Sequence, residues 1–190
     1  ILTIIPTFQD GVLSFGVDSL SQQTFDRILK DVTSKHKLID QKFYVGGFSI
    51  GGSCALKYAE NTMIKPTAVF AIDPPLDFER FYNSAKRDIR LSKDNEANQE
   101  NIYMIERLEK ETGGSPKTNL NQYYNLSPYS FSDTNQTAIK KLTNMPLRIY
   151  TEPDVDWWLK ERNADLTNMN AKECSAMINE PNRLGNQNAE

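Results

Sequence analysis

The chain has 190 residues, 38% hydrophobic and 25% charged, which suits one domain with a sizeable core and excludes a disordered polar tail. Its 22 basic and 25 acidic residues are scattered and leave a net charge of −3, so no electrostatic footprint for nucleic acid is present. No apolar run is long enough for a membrane span, one histidine and two distant cysteines offer no metal-ligand cluster, and no Gly-rich phosphate loop occurs.

Residues 1–5 are a short apolar run of β type closed by Pro6, expected as a buried parallel strand. Residues 6–18, with Gly11 and Gly16, read as a loop. Ser19 and Gln22 stand at capping-box spacing, and Phe25, Ile28, Leu29 and Val32 recur at i, i+3, i+4 and i+7. An amphipathic helix is expected there, one face on the sheet. Residues 38–41 then turn the chain toward the next strand.

Residues 42–46 are strand-like and run straight into Gly47-Phe48-Ser49-Ile50-Gly51, after which residues 53–59 favour helix. Strand, tight turn and helix around G-x-S-x-G is the context that a nucleophile elbow requires. A serine on a sharp, strained turn needs neighbours without side chains, so that strand and helix can approach closely. Gly47 and Gly51 are expected to supply that room. The helix start favours developing negative charge, which makes the N–H of Ile50 the expected oxyanion donor.

These residues resemble the serine hydrolases of the α/β-hydrolase superfamily, in the style of carboxylesterases and prolyl-oligopeptidase-like enzymes. The resemblance implies Ser49 as the nucleophile of an acyl-enzyme, formed from an ester or peptide substrate with no cofactor. Only the elbow is a specific motif. A peptidase or thioesterase shares it, because the reaction subtype lies in the pocket.

Residues 67–72 are a further unbroken apolar run, ended by Asp73-Pro74-Pro75. Strands alternating with helices predict βαβ units, hence an α/β fold with a mainly parallel sheet and helices on both faces. Beyond Leu76 the pattern becomes polar and helical, with helices expected at 78–88 and 101–112 and a stop at Gly113-Gly114. In the resembled family an insertion here, at about 77–125, forms a cap over the active site; a plain surface excursion is the alternative. Residues 137–142 read as a short helix, 147–151 as the last clear strand, and 152–158 as its exit loop. Leu166, Met169, Cys174, Met177 and Ile178 then trace a helical face that Pro181 should terminate or kink. Cys54 and Cys174 read as buried thiols on helices.

A serine hydroxyl needs a base, and the base needs a carboxylate to orient it. In the resembled fold these follow the serine in the order acid, then histidine. Asp154, just past the strand at 147–151, is the favoured acid, with Asp156 next and Glu152 third. Asp73, one strand earlier, is a further candidate. Each could equally be a solvated loop carboxylate or a helix cap.

The base is missing. The single histidine, His36, precedes Ser49 and follows a helix that feeds a strand, at the edge opposite the elbow. The chain opens inside a strand-like run and stops near Ala189 and Glu190, where a further strand is expected to begin. Residues 1–190 therefore read as a single, partial hydrolase domain whose histidine falls after Glu190. A base-less protein that binds ligands on this fold without turnover is the competing expectation, and either way the chain alone should hydrolyse esters poorly.

Overall fold

The structure, a computed structural model, describes residues 2–7, 15–37, 42–91 and 95–190. It is an α/β arrangement with a three-stranded parallel sheet and, among the described residues, seven α-helices. Strands β1 (Tyr44–Phe48), β2 (Ala68–Ile72) and β3 (Leu147–Tyr150) lie in the order β1-β2-β3. The register sets Phe48 against Ile72 and Ile72 against Tyr150, so the carboxyl ends of all three strands are level. Asn188 and Glu190 continue the sheet beyond β3: Leu147 N–H donates to Asn188 O at 3.0 Å and Ile149 N–H to Glu190 O at 2.8 Å. The pairing is an isolated parallel bridge between Leu147 and Ala189.

Helix α2 (Ile50–Asn61) connects β1 to β2 and is buried at every position from Gly52 to Glu60. A helix enclosed all round needs small and apolar residues where neighbours approach, and its polar groups must be paired inside. Ala55, Leu56 and Ala59 meet Val69, Ala71 and Leu147 in the main core, which α7 (Ala171–Arg183) closes with Cys174 and Met177. Lys57 donates to Glu60 Oε2 at 2.9 Å and to the Ser127 carbonyl at 3.0 Å. Burial pushes the Glu60 carboxyl up to about 7 against the pull of Lys57.

Strand alternation explains which face is covered. Val45, Val69, Ala71, Leu147 and Ile149 point to this core, whereas Tyr44, Phe48, Phe70, Ile72 and Tyr150 on the other face are exposed. Helices expected on both faces are therefore seen on one among the described residues. Phe70 lies across β1 because Gly46, its register partner, has no side chain: a Cβ there would fall on the Phe70 ring.

Between β2 and β3 the chain makes α3 (Phe78–Leu91), α4 (Asn95–Thr112) and α5 (Pro116–Leu126). They share a second core of Phe78, Tyr82, Ala85, Ile105, Leu108 and Tyr123, joined by Phe15 and Val17. Helix α5 was not legible as a helix in the sequence, although Ser115-Pro116 is the cap-then-proline opening that such a helix uses. Gly113 and Gly114, at φ 80 and 149, end α4 as expected.

Several local expectations need correction. Residues 2–5 form no strand and are exposed, since an apolar run becomes a strand only where another pairs with it and none does among the described residues. The cap of α1 (Ser19–Lys35) is Asp18, whose carboxylate accepts the Ser21 N–H at 2.9 Å, rather than Ser19. That helix packs on α2, with Phe25 against Tyr58 at 5.2 Å between ring centroids, and not on the sheet. Residues 8–14 and 38–41, read as loop and turn, lie outside the described residues. The exit loop at 152–158 is half helix, because α6 (Val155–Arg162) starts within it. Pro181 does not stop α7, which runs to Arg183: it sits in the last turn, where little helix remains to be broken.

Candidate functional site

Ser49 leaves β1 and enters α2 at φ 51 and ψ −126, a backbone conformation that residues with a Cβ rarely adopt. Its N–H donates to Ile72 O at 2.8 Å, and its carbonyl accepts from Gly52 N–H at 2.9 Å, which ties the strained residue to both sheet and helix. The turn is possible because Gly47 lies against the next helical turn: a Cβ on Gly47 would fall on the Gly51 carbonyl. A Cβ on Gly52 would come within 3.0 Å of Ala71, Gly47 and Pro74 atoms. Gly51, in contrast, faces open space, so the expected steric role of the second motif glycine belongs to Gly52.

Ser49 is half-buried, and its hydroxyl has no hydrogen-bond partner among the described residues. The N–H of Ile50 has no acceptor among them either, and it points from the first turn of α2. The Ile50 side chain packs against the second core, so α3 to α5 brace the residue that follows the serine.

Asp73 occupies the equivalent corner of β2, again left-handed at φ 46. Its N–H donates to Tyr150 O at 2.7 Å, and its carboxylate accepts the Thr151 hydroxyl at 2.9 Å. The Asn170 amide donates to the Asp73 carbonyl at 2.9 Å and reaches the carboxylate at 3.4 Å. Neither Thr151 nor Asn170 stands out in the sequence. The available signal was an Asn directly before a helix; Asn170 directs its side chain to Asp73 and makes no cap hydrogen bond. Arg80 on α3 holds the loop carrying Asn170, by donating to the Met169 carbonyl at 2.8 Å and pairing with Glu173.

Asp154 caps α6, its carboxylate accepting the Trp157 N–H at 2.9 Å. It is exposed, as are Asp156 in the first turn of α6 and Glu152 before it. Trp157 and Trp158 pack edge to face at 5.3 Å, and Trp158 turns toward the strand ends. A cleft of about 620 Å3 lies there, at the carboxyl ends of β1 to β3. Phe48 and Asp73, beside Ser49 in sequence and across the sheet, line it together with Glu152 and Trp158; Ser49, Ile50, Asp154 and Asp156 do not.

His36 is exposed at the end of α1, its N–H donating to Val32 O at 2.8 Å. It does not line the cleft at the strand ends. Cys54 and Cys174 are free and buried, and burial raises each thiol to about 12. Among the described residues no group of His, Cys, Asp and Glu is placed to hold a metal ion, and no helix is long and apolar enough to cross a membrane. Comparison of the chain with protein-family models, with curated proteins and with solved structures gives no match.

Proposed function

We propose that the protein is a serine hydrolase that cleaves an ester bond through an acyl-enzyme at Ser49. The observation that carries this reading is the backbone of Ser49, a non-glycine residue at φ 51 held between a parallel strand and a helix start. Strain of that kind costs about 1–3 kcal/mol and persists where it serves a site. Here it presents a hydroxyl that has no partner among the described residues beside the N–H of Ile50, likewise without one among them, the pairing that an acyl transfer needs at the attacked carbonyl. The hydroxyl oxygen adds to the carbonyl carbon, its proton passes to a base, the oxyanion forms toward Ile50, and the alcohol leaves with a proton. Water then releases the acid and restores the serine.

For the acid, Asp154 remains the residue implied by the family resemblance, with Asp156 as its alternative. It caps α6 through one carboxylate oxygen and stands outside the cleft lining, so its second oxygen is the one that would orient a base. The helices α3 to α5 would act as the cap. A peptidase or thioesterase would use the same elbow.

A second reading is favoured by one observation: the single histidine of the sequence, His36, is exposed after α1 and does not line the cleft. On that reading the cleft binds a ligand without turnover. Hydrolysis of 4-nitrophenyl acetate by the full-length protein, compared with its Ser49→Ala variant, separates the two. A rate lost in the variant supports the hydrolase, and equal rates support the binding protein.

A further inference from the structure

We propose, resting on the reading of Ser49 as nucleophile, that the cleft lined by its chain neighbour Phe48 selects esters of neutral or cationic aromatic acids and rejects anionic ones. Asp73 is the specificity-determining residue. The size is suitable, since about 620 Å3 is the range of sites that enclose small organic ligands.

The walls supply two kinds of contact. Phe48, Ile72, Tyr150 and Trp158 offer apolar and ring surface, on which a flat aromatic group stacks and a cationic one gains further attraction from the ring faces. Among the described residues the charged ones lining the cleft are Asp73 and Glu152, both acidic, and no Lys or Arg lines it. Two cations touch lining residues and are each held by a carboxylate: Arg80 donates to the Met169 carbonyl and pairs with Glu173, and Arg148 reaches the Tyr150 hydroxyl. Arg148 pairs with Glu190 and lies 5.9 Å from the centroid of the Tyr150 ring, while Lys172 lies 5.9 Å from that of Phe131.

Asp73 is the better placed of the two carboxylates. It is half-buried, its backbone is fixed by Tyr150 and Asn170, and it stands one strand from Ser49 at the same level. Thr151 and Asn170 occupy part of its acceptor capacity. A carboxylate has about four acceptor positions, so it can still take a donor from a ligand. An ammonium or hydroxyl on the ring is accommodated there, and a second carboxylate is repelled, since the cations at the margin of the cleft already hold Glu173 and Glu190.

The test uses three 4-nitrophenyl esters of one shape: 4-methylbenzoate, 4-(aminomethyl)benzoate and 4-carboxybenzoate. In the full-length protein near neutral pH, kcat/KM for the carboxylated ester is expected to be at least about 10-fold below that of the methyl ester. The aminomethyl ester should match or exceed the methyl one. Asp73→Asn should narrow the gap to within about 3-fold, because the amide keeps the shape and loses the charge. Asn also tolerates the left-handed backbone and can still accept from Thr151, so this variant folds. Equal turnover of carboxylated and methyl esters overturns the inference, as does a uniform loss on all three in the variant. The binding of the matching benzamides, measured by calorimetry, is independent of turnover. The same order of Kd without any hydrolysis keeps the inference and removes the hydrolase reading; equal Kd values overturn the inference itself.

Discussion

The backbone N–H of Ser49 reaches the carbonyl of Ile72 at 2.8 Å, extending the β1–β2 pairing one residue past Phe48. Sheet pairing therefore holds Ser49 in its unfavourable conformation. Replacing it separates strain from chemistry. Ser49→Gly should raise stability by about 1 kcal/mol relative to Ser49→Ala, since glycine adopts positive φ freely and alanine keeps the strain. Thermal or urea unfolding of the two variants measures this difference, and both should be inactive.

The motif glycines should differ sharply. Gly47→Ala drives a methyl group into the Gly51 carbonyl, backbone that cannot swing aside, and should cost more than about 3 kcal/mol or prevent folding. Gly51→Ala enters open space in a helix and should be neutral or stabilising by up to about 1 kcal/mol. Urea denaturation of both variants checks the contrast.

Glu60 makes stability depend on pH. Its folded value of about 7 lies above its ordinary 4.5, so between these limits the folded state holds a proton that the unfolded chain has released. Its contribution is therefore complete below pH 4.5 and lost as the pH rises toward 7, by an amount on the order of 3 kcal/mol. Unfolding of the wild type and of Glu60→Gln across about pH 4.5 to 7.5 should show the wild type falling relative to the variant as pH rises.

Cys54 and Cys174, buried and raised to about 12, should resist thiol reagents in the folded protein. Reaction with a chromogenic disulfide should be slow in buffer and count two thiols in denaturant. Fast reaction of either in buffer would show that α2 or α7 opens locally.

Much of the fold was legible because its signals are local. The apolar run at 67–72 reads as a central strand since both of its neighbours are parallel, and G-x-S-x-G marks the tight turn between β1 and α2 through its own residues. What could not be read depends on partners distant in sequence. Residues 1–5 have strand composition, yet composition does not specify a pairing partner. Asp154 stands where a loop acid is expected, but whether its carboxylate caps a helix is decided by where α6 begins. Asp73 reads from the sequence only as a further candidate acid, because its partners Thr151 and Asn170 lie 78 and 97 residues further along the chain. Similarly, the motif pattern pointed to Gly51, while the close contact falls on Gly52 because helix geometry turns that position toward Ala71 and Pro74.

The measurement that bears most directly on Ser49 as nucleophile is intact-mass analysis of the full-length protein after exposure to a fluorophosphonate, followed by mapping of the adduct. A single adduct on Ser49, absent from Ser49→Ala and slowed by a substrate ester, is the predicted result. A folded protein that takes up no probe, or that carries it on another residue, would contradict the assignment.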